Sequence, residues 1–174
     1  MKTISINIFD SKRIDEATKA IEDMRKEYED KIVEFKHRLA EEICVRARMN
    51  YASAWYNDII YPEDVAFKKQ SVNVSVDWQD NNGEVIITVN GSNAVWVEFG
   101  TGVYYNGAVG SRPHPWGDSV PCGIGEYGFG LGKNPFWWFN DFATRGTEAQ
   151  MPLYNAVIEV EQIAGDIARE VFND

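Results

Sequence analysis

Ser71-Val-Asn-Val-Ser-Val-Asp-Trp-Gln-Asp-Asn-Asn-Gly-Glu-Val-Ile-Ile-Thr-Val-Asn90 consists of two apolar-rich runs joined by a turn signal. Val72, Val74, Val76 and Trp78 alternate with polar residues, the period of a strand with one buried face. Asp80-Asn81-Asn82-Gly83 supplies the turn residues, and Glu84–Asn90 is the returning strand. Gly91-Ser92-Asn93 marks a second turn, so Ala94–Phe99 reads as a third strand. Three short strands on two tight turns predict an antiparallel meander over 70–99.

Upstream, residues 11–57 form a helical region with the apolar stripe Ile14, Ala17, Ile21, Met24, Tyr28, Ile32, Phe35, Leu39 and Ile43. No proline or glycine interrupts 11–56, which predicts a long helix, either continuous or broken once near Met49–Tyr51. Pro62 is expected to close this region. Before it, Ile4, Ile6 and Ile8 alternate with polar residues as a short N-terminal strand.

Downstream, 100–136 is a long loop holding ten of the 14 glycines and four of the 6 prolines. Phe136-Trp137-Trp138-Phe139 is either a short strand or an aromatic plug over the sheet. Thr147 and Gln150 have the spacing of a capping box, predicting a C-terminal helix over 147–172. Its inner face would hold Met151, Tyr154, Val157, Val160, Ala164, Ile167 and Val171. The expected fold is a single α+β domain spanning 1–174. In it a small antiparallel sheet, the meander plus the N-terminal strand, packs against a long N-terminal helix and a C-terminal helix.

The chain has 174 residues and a net charge of −10. Residues 11–48 hold ten acids and ten bases, whereas 49–174 hold sixteen acids and six bases, so the excess lies in the second part. Such a surface disfavours gripping the outside of a duplex, which needs clustered Lys and Arg. It suits solubility, or the lining of a channel through which DNA slides. Cys44, beside Ile43 and Val45 on the helix, is expected to be buried. Cys122 lies in the loop, and the two form no disulfide framework. Neither a signal peptide nor a membrane span is legible, so synthesis and folding in a cytoplasm are expected.

No catalytic, metal or cofactor set emerges from the residue pattern. Glu98 could be a strand-end general base, but it lacks an evident partner of separated pKa. The alternative is structural: accepting amides of the glycine turn, or pairing with Arg145, which is poorly placed for a helix dipole. His37, between Lys36 and Arg38, reads as solvated. His114 and Cys122 are too few ligands for zinc and lack the pattern of a nucleophile–base pair. The Gly123–Gly132 run lacks the lysine of a phosphate loop. Trp96 is expected in the core. Tyr104, Tyr105, Trp116, Tyr127, Phe129, Trp137 and Trp138 exceed what one small core can hold and suit an interface.

Two segments carry a family resemblance: Trp96-Val-Glu-Phe-Gly-Thr-Gly-Val-Tyr-Tyr105 and Thr144-Arg-Gly-Thr-Glu-Ala-Gln-Met-Pro-Leu-Tyr-Asn-Ala156. With Gly123-Ile-Gly-Glu-Tyr-Gly128 and Trp137-Trp138 between them, the chain resembles the HK97 gp10-like phage proteins, neck or tail-completion components of long-tailed phages. The resemblance implies a non-catalytic virion protein at the head–tail junction, assembled in the host cytoplasm. Its partners would be copies of itself in a ring and the adjoining neck, head-closure, tail-terminator or tail-tube proteins. DNA would pass as cargo only, with no membrane and no cofactor. The family-motif and interface positions would be Trp96, Glu98, Phe99, Gly100, Thr101, Gly102, Tyr104, Tyr105, Tyr127, Gly128, Trp137, Trp138, Arg145, Gly146, Thr147, Gln150 and Met151. The rival expectations are a carbohydrate- or peptide-binding module using the loop aromatics, and a small hydrolase centred on Glu98.

Overall fold

The computed structural model describes residues 11–57, 69–101, 114–116, 137–139, 142–144 and 146–173. Its fold is α+β, with a long N-terminal helix, a C-terminal helix and small antiparallel sheets. The N-terminal strand expected over 3–9, the Pro62 boundary and most of the 100–136 loop lie outside the described residues.

Helix α1 runs unbroken from Ser11 to Ser53. It stops before the expected limit, because the chain turns at Ala54 and enters strand β1, Trp55–Asn57. Strand β1 pairs antiparallel with β2, Lys69–Ser71. Strands β3, Ser75–Asn81, and β4, Glu84–Asn90, form a hairpin where one was expected, with Val76 opposite Val89 and Trp78 opposite Ile87. The first strand is not Ser71–Trp78, however: Ser71 belongs to β2, 72–74 lie outside any strand and β3 continues to Asn81. Asn82 and Gly83 make its two-residue loop, both at positive φ (54° and 85°), the twist that two-residue hairpins favour. The Asp80 carboxylate accepts the Gly83 N–H at 2.8 Å and holds this turn closed.

The third strand of the expected meander is absent: Ala94–Phe99 is a short helix, α2. Alternating β-branched residues favour a strand there on propensity alone. The helical spacing instead puts Ala94, Val97 and Glu98 together on a buried face and turns Val95 and Trp96 outward. Trp96 is therefore 36% exposed and not a core residue as expected. Strands β5, Trp137–Phe139, and β6, Phe142–Thr144, pair as a separate ladder. Helix α3 spans Pro152–Asn173.

The core forms where α1, the hairpin, α2 and α3 meet, around Cys44, Ala47, Tyr51, Val72, Val76, Ala94, Val97 and Ala156. Ala40, Cys44, Ala47 and Tyr51 lie at helical spacing on the most buried face of α1, one position round from the expected Leu39–Ile43 stripe. Small side chains there let α1 approach Ala156 and Val160 of α3 closely, while Leu39 and Ile43 flank the seam half-buried. The α1–α3 contact also carries the ion pairs Arg38–Glu170 and Arg46–Glu159.

The hairpin lies along α1 through polar ties. Arg48 Nε donates to the Val76 carbonyl at 2.8 Å, and Lys36 Nζ donates to the Gly83 carbonyl at 2.8 Å. His37 is not simply solvated: its Nε2 lies 2.7 Å from the Asp80 carboxylate and its ring packs 4.9 Å from Trp78.

Gly91 sits where β4 leaves the sheet and crosses the 73–74 backbone. A Cβ there would lie 2.6 Å from Val74 Cγ1 and 2.8 Å from the Asn73 carbonyl oxygen. Gly91→Ala is therefore expected to cost about 1–3 kcal/mol of stability, read as a lowered urea midpoint with an unchanged slope.

Candidate functional site

Helix α3 begins at Pro152, and the Met151 carbonyl accepts its first backbone bond, from Asn155 N–H at 2.8 Å. The next amides of a helix start have no partner within the helix. Ser, Thr, Asp or Asn normally supplies an oxygen at the residue before the helix. Met151 has none, is buried, and holds a left-handed backbone at φ 55°.

The missing acceptor comes from α2. Val97, fully buried, pins that helix, and the next residue carries its carboxylate onto the α3 N-terminus. Glu98 Oε2 accepts the Leu153 N–H at 2.8 Å, and Oε1 accepts the Tyr154 N–H at 3.0 Å. Tyr51 of α1 donates its hydroxyl to Oε2 at 3.1 Å, and His114 Nε2 lies 2.9 Å from Oε1. Glu98 and His114 are each 3% exposed. Two donors on each oxygen occupy the roughly four lone-pair sites of a carboxylate. The α3 dipole adds to the attraction, because its positive end faces the charge.

The His114 ring has a defined tautomer. Nδ1 accepts the Trp116 N–H at 3.0 Å, so the hydrogen that reaches Glu98 sits on Nε2. Phe99 packs 4.3 Å from the imidazole, and Tyr154 meets both His114 and Trp116 edge-on at 5.5 and 5.1 Å. The His114–Trp116 turn is thereby fastened to the junction of α2 and α3.

A second set of bonds ties 146–151 to its surroundings, and it replaces the expected capping box. Helix α3 starts at Pro152 rather than at 147, and Thr147 and Gln150 face other elements. Thr147 O accepts the Thr101 N–H, and Thr147 N donates to Thr101 Oγ1, both at 2.8 Å. Thr147 Oγ1 accepts the Asn57 N–H at 3.0 Å, and Asn57 Nδ2 donates to the Gly146 carbonyl. Gln150 N donates to the Val97 carbonyl at 2.9 Å. Its side-chain amide acts as a strand residue would: Oε1 accepts the Trp55 N–H at 3.2 Å while Nε2 donates to the Trp55 carbonyl.

Glu98, Phe99, Gly100, Thr101, Gly146, Thr147, Gln150 and Met151 thus converge on one junction, although about fifty residues separate the two groups. Gly100, at φ 78°, makes the turn between α2 and Thr101. Trp96 belongs to the same helix but points away. Gly102, Tyr104, Tyr105, Tyr127, Gly128 and Arg145 lie outside the described residues, and Trp137 and Trp138 are placed only as backbone in β5. Tyr51 and His114 were missed as partners of Glu98. Only the odd flanking of His114 by Pro113 and Pro115 hinted at a fixed position.

Among the described residues no three His, Cys, Asp or Glu side chains converge as metal ligands. Grooves open elsewhere, one between α1 and α3 lined by Arg38, Glu42, Asp166 and Glu170, another along α1 beside Asp23 and Lys31. No helix among the described residues is long and apolar enough to cross a membrane. Compared with known proteins, the chain matches no family model, no curated protein and no solved structure.

Glu98→Gln turns one of the two oxygens into a donor facing donors. It is expected to destabilise the fold by about 2–3 kcal/mol in urea unfolding, well beyond a surface Glu→Gln change. Tyr51 gives a pH signature. Burial, then the Glu98 charge and the hydrogen bond to it, raise its phenol well above the ordinary 10.0. The folded state therefore holds a proton that the unfolded chain releases. The contribution is complete below pH 10.0 and falls as pH rises above it. Tyr51→Phe should be less stable than wild type at pH 8, and the gap should narrow steadily as pH rises above 10.0.

Proposed function

We propose that this protein is a structural component of a phage head–tail junction, a neck or tail-completion protein that stabilises the capsid–tail connection around the DNA channel. The observation that carries the proposal is the meeting of the two family-like segments. Glu98–Thr101 of the first segment and Gly146–Tyr154 of the second supply the two sides of the Glu98 junction. Copies arranged in a ring would need a heterologous contact, one face of each subunit against a different face of the next. The acidic excess of 49–174 would suit a lumen that passing DNA does not adhere to.

The chemistry of the junction weighs against the hydrolase alternative. A general base needs a lone pair within reach of substrate. All four on Glu98 are engaged by donors of the chain itself, two of them backbone amides. A glycan-stacking role for Trp116 is not favoured either, since that ring is half-buried against Tyr154.

Gold labelling of intact particles of the parent phage with an antibody against this protein tests the proposal. Label confined to the head–tail junction is the expected result. Unlabelled junctions, with the epitope accessible on disrupted virions, would contradict it.

A further inference from the structure

Three Asn-Gly steps occur in the chain, at 82–83, 90–91 and 106–107. Such a step is chemically labile, because glycine offers a backbone nitrogen that no side chain shields. That nitrogen can attack the side-chain carbon Cγ of the asparagine. A bond forms from the glycine nitrogen to Cγ and the Cγ–Nδ2 bond breaks. The amide nitrogen leaves as ammonia, taking up the proton that the glycine nitrogen gives up. Water then opens the resulting five-membered imide at one of its two carbonyls. One opening yields aspartate; the other yields isoaspartate, in which the main chain runs through the former side chain.

The fold treats these steps differently. The 106–107 step lies outside the described residues. At 90–91 the backbone is locked. Asn90 pairs with Ser75 in the ladder, and a Cβ on Gly91 would lie 2.6 Å from Val74 Cγ1. Asn82 and Gly83 are exposed at the hairpin tip, and nothing lies within 4 Å of a Cβ built on Gly83. Sterically this step is open, and its restraint is a hydrogen bond on the attacking atom itself. Asp80 Oδ1 accepts the Gly83 N–H at 2.8 Å, while His37 Nε2 of α1 lies 2.7 Å from Asp80 Oδ2. Lys36, also on α1, donates to the Gly83 carbonyl. The His37 and Gly83 hydrogen bonds hold the Asp80 carboxyl below its ordinary range, so it stays an ionised acceptor at neutral pH. A carboxylate is far too weak a base to remove an amide proton, so this contact positions the nitrogen and does not activate it. Cyclisation needs that N–H released and the nitrogen turned onto Cγ.

We infer that Asn82 is a self-modification site of this chain, kept closed by the Asp80 hydrogen bond and released when the hairpin tip leaves α1. Its products would preserve that separation. Isoaspartate inserts an additional backbone atom into the two-residue loop between Asn81 and Glu84, and either product places a new carboxylate two residues from Asp80. Conversion at Asn82 therefore records past opening of the hairpin tip. The inference is independent of the head–tail proposal.

The test is peptide mass mapping of the full chain during long incubation at neutral pH, since each conversion replaces a side-chain amide by a carboxylate. Wild type in urea gives the rate of the open chain. Native wild type is expected to convert at Asn82 at least about tenfold more slowly, because slow chemistry follows the population of the open form. Asp80→Ala is expected to raise the native rate at Asn82 about three- to tenfold, the factor for one lost hydrogen bond, with Asn90 unchanged. Asn90 is the internal control for folding, because an unfolded variant would convert at both sites. His37→Ala, which leaves the acceptor but removes its anchor, is expected to shift the Asn82 rate in the same direction by less. Native wild type converting at Asn82 as fast as in urea would overturn the inference. So would an Asp80→Ala rate no higher than that of wild type, or equal acceleration at Asn82 and Asn90 in both variants.

Discussion

The constraint on which the rest of the structure depends is the buried start of α3. A helix that starts at Pro152, behind a buried methionine with no side-chain acceptor, leaves its first-turn amides in need of a partner. Each such donor left alone costs about 1–3 kcal/mol. One carboxylate from a remote segment satisfies two of them, and its own burial is tolerable only because Tyr51 and His114 complete the set of donors. Through these four bonds Glu98 joins α2, α1, the His114–Trp116 turn and the start of α3. Removing any one donor weakens the case for keeping the charge there.

Much of this fold was legible in the sequence, for physical reasons that also explain the failures. The hairpin was legible because alternation and an Asn-Gly turn specify it locally. Helices α1 and α3 were legible because their apolar periods are long. The α1–α3 seam was displaced by one residue because Ala40, Cys44 and Ala47 carry little hydrophobic weight, yet allow the closest approach. Ala94–Phe99 was misread because β-branched residues favour strands, whereas the helical choice is dictated by where Val97 and Glu98 must go. The Thr147–Gln150 pair has the spacing of a capping box. Spacing alone cannot reveal that both side chains serve β1 instead.

The role of Glu98 was half legible. A carboxylate after an apolar run and before glycines suggested amide acceptance, and it does accept amides. They belong to a helix fifty-odd residues away rather than to the adjacent turn. Its partners Tyr51 and His114 come from elements that no local pattern connects to it. Among the described residues of the family-like segments, Glu98, Thr101, Thr147 and Gln150 tie distant elements of the fold together. Exposed apolar side chains lie away from the junction, on the outward side of α2 at Val95 and Trp96 and on α1 at Ile21, Tyr28 and Ile32.

The most direct test of the central claim is native-state amide hydrogen exchange at Leu153 and Tyr154. First-turn amides of an ordinary helix exchange readily, because nothing within the helix accepts them. Held by a buried carboxylate, these two should exchange only when the whole domain unfolds, with a protection free energy equal to that from urea denaturation. Exchange at these two positions by local fraying, well below the global value, would mean that Glu98 does not cap α3 and would contradict the account.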